Sequence, residues 1–123
     1  MADEPSLEEI QAAEHKRLRN AVNTLPPNPS DDELHAVRIE VKRARYAAEL
    51  GGDEPYVQAA KRLQDVLGEH QDAVVAIGEL RNLAGRMPDA AVAAGRLSER
   101  EHERASRNRG AWKASWKRLA KTV

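Results

Sequence analysis

Cysteine and phenylalanine are both absent from this chain. Without thiols there is no disulfide, no thiolate zinc site and no cysteine nucleophile. Tyr46, Tyr56, Trp112 and Trp116 are the whole aromatic complement. A core must therefore come from Leu, Val, Ile and Ala, a supply that suits helix packed on helix better than sheet on sheet. No apolar run approaches the ~20 residues that span a bilayer, and the opening MADEPSLEE is acidic, unlike a secretory leader. The 123 residues read as one soluble, cytoplasmic domain over positions 1–123, large enough for a single core.

Net charge is also absent, with 20 basic residues balancing 20 acidic ones. The balance conceals segregation. Residues 1–34 carry −5 and residues 47–99 carry −4, whereas residues 35–46 carry +3 and residues 100–123 carry +6. Two basic segments in a neutral chain point toward a polyanionic partner. The plainer explanation of any one charge run is a solvated helical face.

The punctuation divides the chain into four helices. Ser6 with Glu9 has the spacing of a capping box, and Leu7, Ile10, Leu18, Ala21 and Leu25 continue at helical intervals, predicting a helix over about 6–25. The prolines of PPNPS (26–30) stop it. Ser30 or Asp31 caps a second helix over about 31–50, which GGDEP (51–55) ends, with Pro55 suited to the first turn of a third. The third helix is predicted over about 55–84, stopped by Gly85 and Pro88. Residues 89–97 read as a short extra turn, and Ser98 with Glu101 reads as a second capping box opening a last helix over about 98–121. No strand pattern competes. The fold class is all-α, an antiparallel four-helix bundle.

The second helix carries the functional signal. Leu34, Val37, Val41, Ala44 and Ala48 share one face, an apolar seam for the core. His35, Arg38, Lys42 and Arg45 fall within an arc of about 80° beside that seam at 100° per residue. A helix arranged for stability alone would interleave acids at i+4, and here only Glu40 and Glu49 lie close in sequence. Successive members of the strip stand about 4.5–6 Å apart along the axis, a spacing for a linear chain of phosphates rather than one small anion. Arginine offers phosphate a planar fork and lysine a compact charge. The competing explanation is that these cations pair with acids of the first and third helices.

LHAVRIEVKRARYAAEL (34–50), followed by AKRLQDVLGEHQD (60–72), resembles the signature of the CHAD family, the histidine-containing α-helical domains. The resemblance is carried by His35, Arg38, Lys42, Arg43, Arg45 and Tyr46, then by Lys61, Leu63, Gln64, Leu67, Gly68 and Asp72. It implies a helical bundle that binds inorganic polyphosphate through basic side chains lining a groove or pore. A full CHAD domain is roughly twice this length and holds two four-helix units; this chain resembles one of them, in wording closer to the C-terminal unit. A homodimer through the Gly68 face, or a companion half, is the corresponding expectation. Association with polyphosphate granules in the cytoplasm goes with it.

On the third helix, Leu63, Val66, Leu67, His70, Val74 and Ile77 share an apolar face, which makes His70 a packed histidine rather than a ligand. Lys61, Gln64, Gly68 and Asp72 lie opposite, and a glycine inside a helix is easier to understand where something approaches closely. Asp72 suits a group that orients a basic side chain. On the last helix, Arg104 shares a face with Arg100 and Arg107, while Trp112 and Trp116 read as core or as platforms for lysine stems. Arg19 is a further candidate on the first helix.

Catalysis is not expected. Glu99-x-x-His102 has one half of a di-iron pattern, and Asp32-x-x-His35, its nearest second copy, places the histidine among cations. No phosphate-binding glycine loop, HExxH or nucleophile elbow appears. Neither a metal nor a cofactor is expected. The function expected is non-catalytic polyphosphate binding by His35, Arg38, Lys42, Arg45 and Lys61, joined by Arg43, Arg19 and Arg104, with Tyr46, Gln64, Gly68 and Asp72 as supporting residues. The rivals are a helical protein-interaction module and a binder of nucleic-acid backbone.

Overall fold

A computed structural model describes residues 4–123. Four α-helices follow one another: α1 (Leu7–Asn23), α2 (Asp31–Gly51), α3 (Glu54–Arg86) and α4 (Ala91–Ala120), with a single 3-10 turn, Pro88–Ala90, between the last two. The described residues contain no strand.

The helix ends are set by local chemistry. Ser6 caps α1 by accepting the Glu9 N–H at 3.1 Å, while its own hydroxyl donates to the Glu9 carboxylate. Ser30 opens α2 with a complete capping box: its hydroxyl accepts the Glu33 N–H at 3.1 Å, and Glu33 accepts the Ser30 N–H at 2.9 Å. Gly52 ends α2 in the left-handed region at φ 73°, which favours glycine. Asp53 then caps α3 through the Tyr56 N–H and accepts from Gln11 of α1, at 2.8 Å.

One boundary differs from the sequence expectation. The last helix begins at Ala91, seven residues before Ser98, and Ser98 lies inside it. The run Ala90–Ala94 consists of strong helix formers apart from Val92, and Ala94 is buried at 3% exposure. Packing and propensity together carry the helix through the cap signal at Ser98. α3 likewise continues past Gly85, to Arg86.

The core joins all four helices: Leu18 from α1, Leu34, Val37, Val41, Ala44 and Ala48 from α2, Tyr56, Val57, Ala60, Leu63 and Leu67 from α3, and Trp112 and Leu119 from α4. Burying each of these large aliphatic side chains contributes about 1.5–3 kcal/mol. α2 runs back along α3 from the Gly52 corner until Asp31 reaches mid-α3. There the Asp31 carboxylate accepts from Arg109 of α4 at 3.1 Å and lies 3.3 Å from His70 Nε2. Beyond that staple α3 and α4 continue as a hairpin, with Ile77, Leu80 and Leu83 only half-buried.

A second polar cluster pins α1. His15 is 6% exposed, and its Nδ1 shares a 2.8 Å hydrogen bond with the hydroxyl of fully buried Tyr56. Its ring stacks on Trp116, with centroids 5.7 Å apart. Burial, reinforced by Arg19, pulls the His15 pKa below its ordinary value. Burial, aided by the Asp53 charge, pushes the Tyr56 phenol up. His70 is also held below its usual value: burial dominates, Asp31 opposes it and Arg109 adds to it.

Candidate anion groove between α2 and α3

The strip predicted on α2 lies along one flank of that helix, and of its members Arg38 lines the cleft between α2 and α3. His35, Arg38, Lys42 and Arg45 are all half-buried, as expected for residues flanking the apolar seam. The facing wall comes from α3. Arg38, Gln64, Asp65, Gly68, Glu69 and Asp72 line an open cleft of about 260 Å³. The surface of α3 that carries Gly68 is thus the second wall of a groove within the chain, and Val57 on that surface is 4% exposed. Lys61 is an exposed residue of α3 and is not among the residues lining the cleft.

Several basic side chains that face a neighbouring helix are ion-paired. Arg17 lies 3.7 Å from Glu40, Arg43 3.3 Å from Glu14, and Arg109 3.1 Å from Asp31. Arg104 sits among three carboxylates, 3.6 Å from Glu69, 3.9 Å from Asp72 and 3.3 Å from Glu101. Among the described residues, His35, Arg38, Lys42, Lys61 and Arg19 have no carboxylate within salt-bridge distance, and Arg45 has only Glu49 at 3.8 Å. His35 Nδ1, Arg38 Nε and Arg45 Nε are moreover shielded from solvent without a hydrogen-bond partner. Leaving a buried donor without a partner costs about 1–3 kcal/mol.

The predicted residues therefore do not all converge. Arg43 turns to the opposite flank of α2, toward α1, because it lies about 80–160° around the helix from the strip and finds Glu14 there. Arg19 is an exposed residue of α1. Arg104 is held on the α4 side of α3. Asp72 meets Arg104 rather than a residue of the strip. Tyr46 is 52% exposed, its ring 4.9 Å from the Arg45 guanidinium, a cation–π contact that steadies Arg45. Gly68, which the sequence offers to a second copy, is buried under Arg38 of its own chain. Asp65 and Glu69 are groove residues that sequence reasoning missed, although their spacing around Gln64 and Gly68 on one helix places them there.

No helix among the described residues is long and apolar enough to cross a membrane, and no group of three or more His, Asp or Glu side chains among them is arranged to hold a metal. Comparison with known families matches residues 2–81 to the CHAD domain, more than half of the chain and the whole of the α2–α3 groove. The chain belongs to the CHAD domain family. The matched range ends within α3, so α4 and its Arg104 lie outside the portion the CHAD domain accounts for. Two uncharacterized proteins from strains of Mycobacterium tuberculosis are 38% identical over 60 residues. That segment is 49% of this chain and 12% of each relative, so the CHAD chain spans only a small part of the proteins it matches. No solved structure matches it.

Proposed function

We propose that the α2–α3 groove binds inorganic polyphosphate without catalysis. Its first contacts are His35, Arg38, Lys42 and Arg45 on α2, with Lys61 on α3. The observation that carries the reading is the division of the cations. Arg17, Arg43, Arg104 and Arg109 have carboxylate partners on neighbouring helices, while the half-buried strip of the CHAD motif has only the Arg45–Glu49 pair. Cations kept near one another without internal partners favour a multivalent anion over a protein surface bearing scattered acids.

The test is a titration of long-chain polyphosphate at two salt concentrations into the wild-type protein, Arg38→Ala/Lys42→Ala and His102→Ala. Salt-sensitive binding is expected, since a polyanion releases counterions when cations replace them. The double variant should lose it and His102→Ala should keep it. Equal losses in both variants would refute the site, and no wild-type binding would refute the function. Duplex DNA at the same phosphate concentration separates a general backbone binder, which would compete equally. A second copy of the chain, or a companion half, belongs to the same proposal. Light scattering across a concentration series tests it, and a constant monomer mass would count against it.

A further inference from the structure

Gly68 lies in the middle of a 33-residue helix, where glycine is less favourable than alanine. No backbone requirement explains it, since Gly52 is the one described glycine with positive φ. The explanation is lateral. A Cβ at Gly68 would stand 3.1 Å from Arg38 Nε, 3.3 Å from Nη2 and 3.5 Å from Cζ. At Gly78, Gly85, Gly95 and Gly110 an added Cβ meets nothing within 4 Å. Both nitrogens of Arg38 lie nearer than the carbon between them, so the Nε–Nη2 side of the guanidinium leads toward α3. The Nη1 end is the part turned away.

We infer that Gly68 is a positioning residue for the anion groove, a reading that rests on the proposed polyphosphate function. Its missing side chain forms a seat that holds Arg38 before ligand arrives. A long arginine side chain fixed in advance loses less freedom on binding. The seat also answers the groove's own acids. Asp65, Glu69 and Asp72 line the same cleft as Arg38, yet Glu69 and Asp72 pair with Arg104, and Arg38 has no carboxylate partner among the described residues. Without the seat, Arg38 is free to swing onto a neighbouring carboxylate, and polyphosphate must then compete with it.

The signature is a gain and a loss in one substitution. In Gly68→Ala the new Cβ pushes aside the end of a flexible side chain, so the helix tolerates the change. The melting temperature should be unchanged or up by as much as about 4 °C. Polyphosphate affinity should fall about three- to tenfold, the effect of having to order one long side chain during binding. Titrations on wild type, Gly68→Ala, Arg38→Ala and Gly68→Ala/Arg38→Ala close the cycle, and the glycine substitution should have no further effect once Arg38 is gone. Three results would overturn the inference: Gly68→Ala binding like wild type, the same loss in the Arg38→Ala background, or a lowered melting temperature in that background. If wild-type protein fails to bind polyphosphate, the functional reading falls by itself. The seat is then read from the Arg38 Nε–H signal by NMR, which should be protected from exchange in wild type and lose protection in Gly68→Ala. An unprotected wild-type signal would remove the seat.

Discussion

Tyr56→Phe deletes one oxygen atom from the core and no apolar volume. Tyr56 is fully buried, and its hydroxyl is the 2.8 Å partner of His15 Nδ1 in a site where His15 is 6% exposed. The variant leaves a buried imidazole nitrogen without a partner, at about 1–3 kcal/mol. With an unfolding entropy of about 2.1 cal/mol/K per residue, a chain of this size converts that into a fall of about 4–12 °C in melting temperature. Thermal unfolding followed by circular dichroism measures it. Combining Tyr56→Phe with His15→Leu removes both polar partners and should recover much of the loss, because two apolar groups of suitable shape leave nothing unsatisfied. Polyphosphate titration should be unaffected by Tyr56→Phe, since neither residue lines the α2–α3 cleft. A Tyr56→Phe melt within about 1 °C of wild type would show that the bond contributes nothing net, and that α1 is held by Leu18 and its apolar neighbours alone.

Two more expectations follow from the pairing of charged groups. His15 and His70 both have folded-state pKa values below the unfolded value of 6.5, so the unfolded chain takes up protons first on acidification. Stability should be complete above about pH 6.5 and decline below it, by at most about 1.4 kcal/mol per pH unit for each histidine. Denaturant melts at about pH 7.5 and about pH 5 should show the decline, with a shallower one in His70→Leu; a flat wild-type profile would contradict the burial of these rings. Arg104→Gln should weaken polyphosphate binding less than Arg38→Gln, because Arg104 already sits among Glu69, Asp72 and Glu101. Equal losses, persisting when Glu69→Gln/Asp72→Asn removes the acids from both, would make Arg104 a direct ligand after all.

Local sequence determined the elements of this protein. Ser30 with Glu33, the Gly51–Gly52 pair and Pro55 act over three or four residues, within the reach of one helical turn. The seam Leu34, Val37, Val41, Ala44, Ala48 and the cationic strip beside it follow from 3.6-residue periodicity, so both were readable before any packing was known. The start of α4 was not, because burial of Ala94 against α3 outweighs a cap signal at Ser98.

Only the tertiary structure decided which cations are available. Arg43 and Arg38 are five residues apart on one helix, but α1 brings Glu14 to Arg43 while α3 brings a bare glycine to Arg38. Arg104 looks like one more basic residue until helix packing places Glu69 and Asp72 beside it. His15 and Tyr56 are 41 positions apart, and nothing local announces their bond. Periodicity assigns a side chain to a face of its own helix; what that face meets depends on how the helices pack, and packing sets whether a charge is paired, buried or left for a ligand.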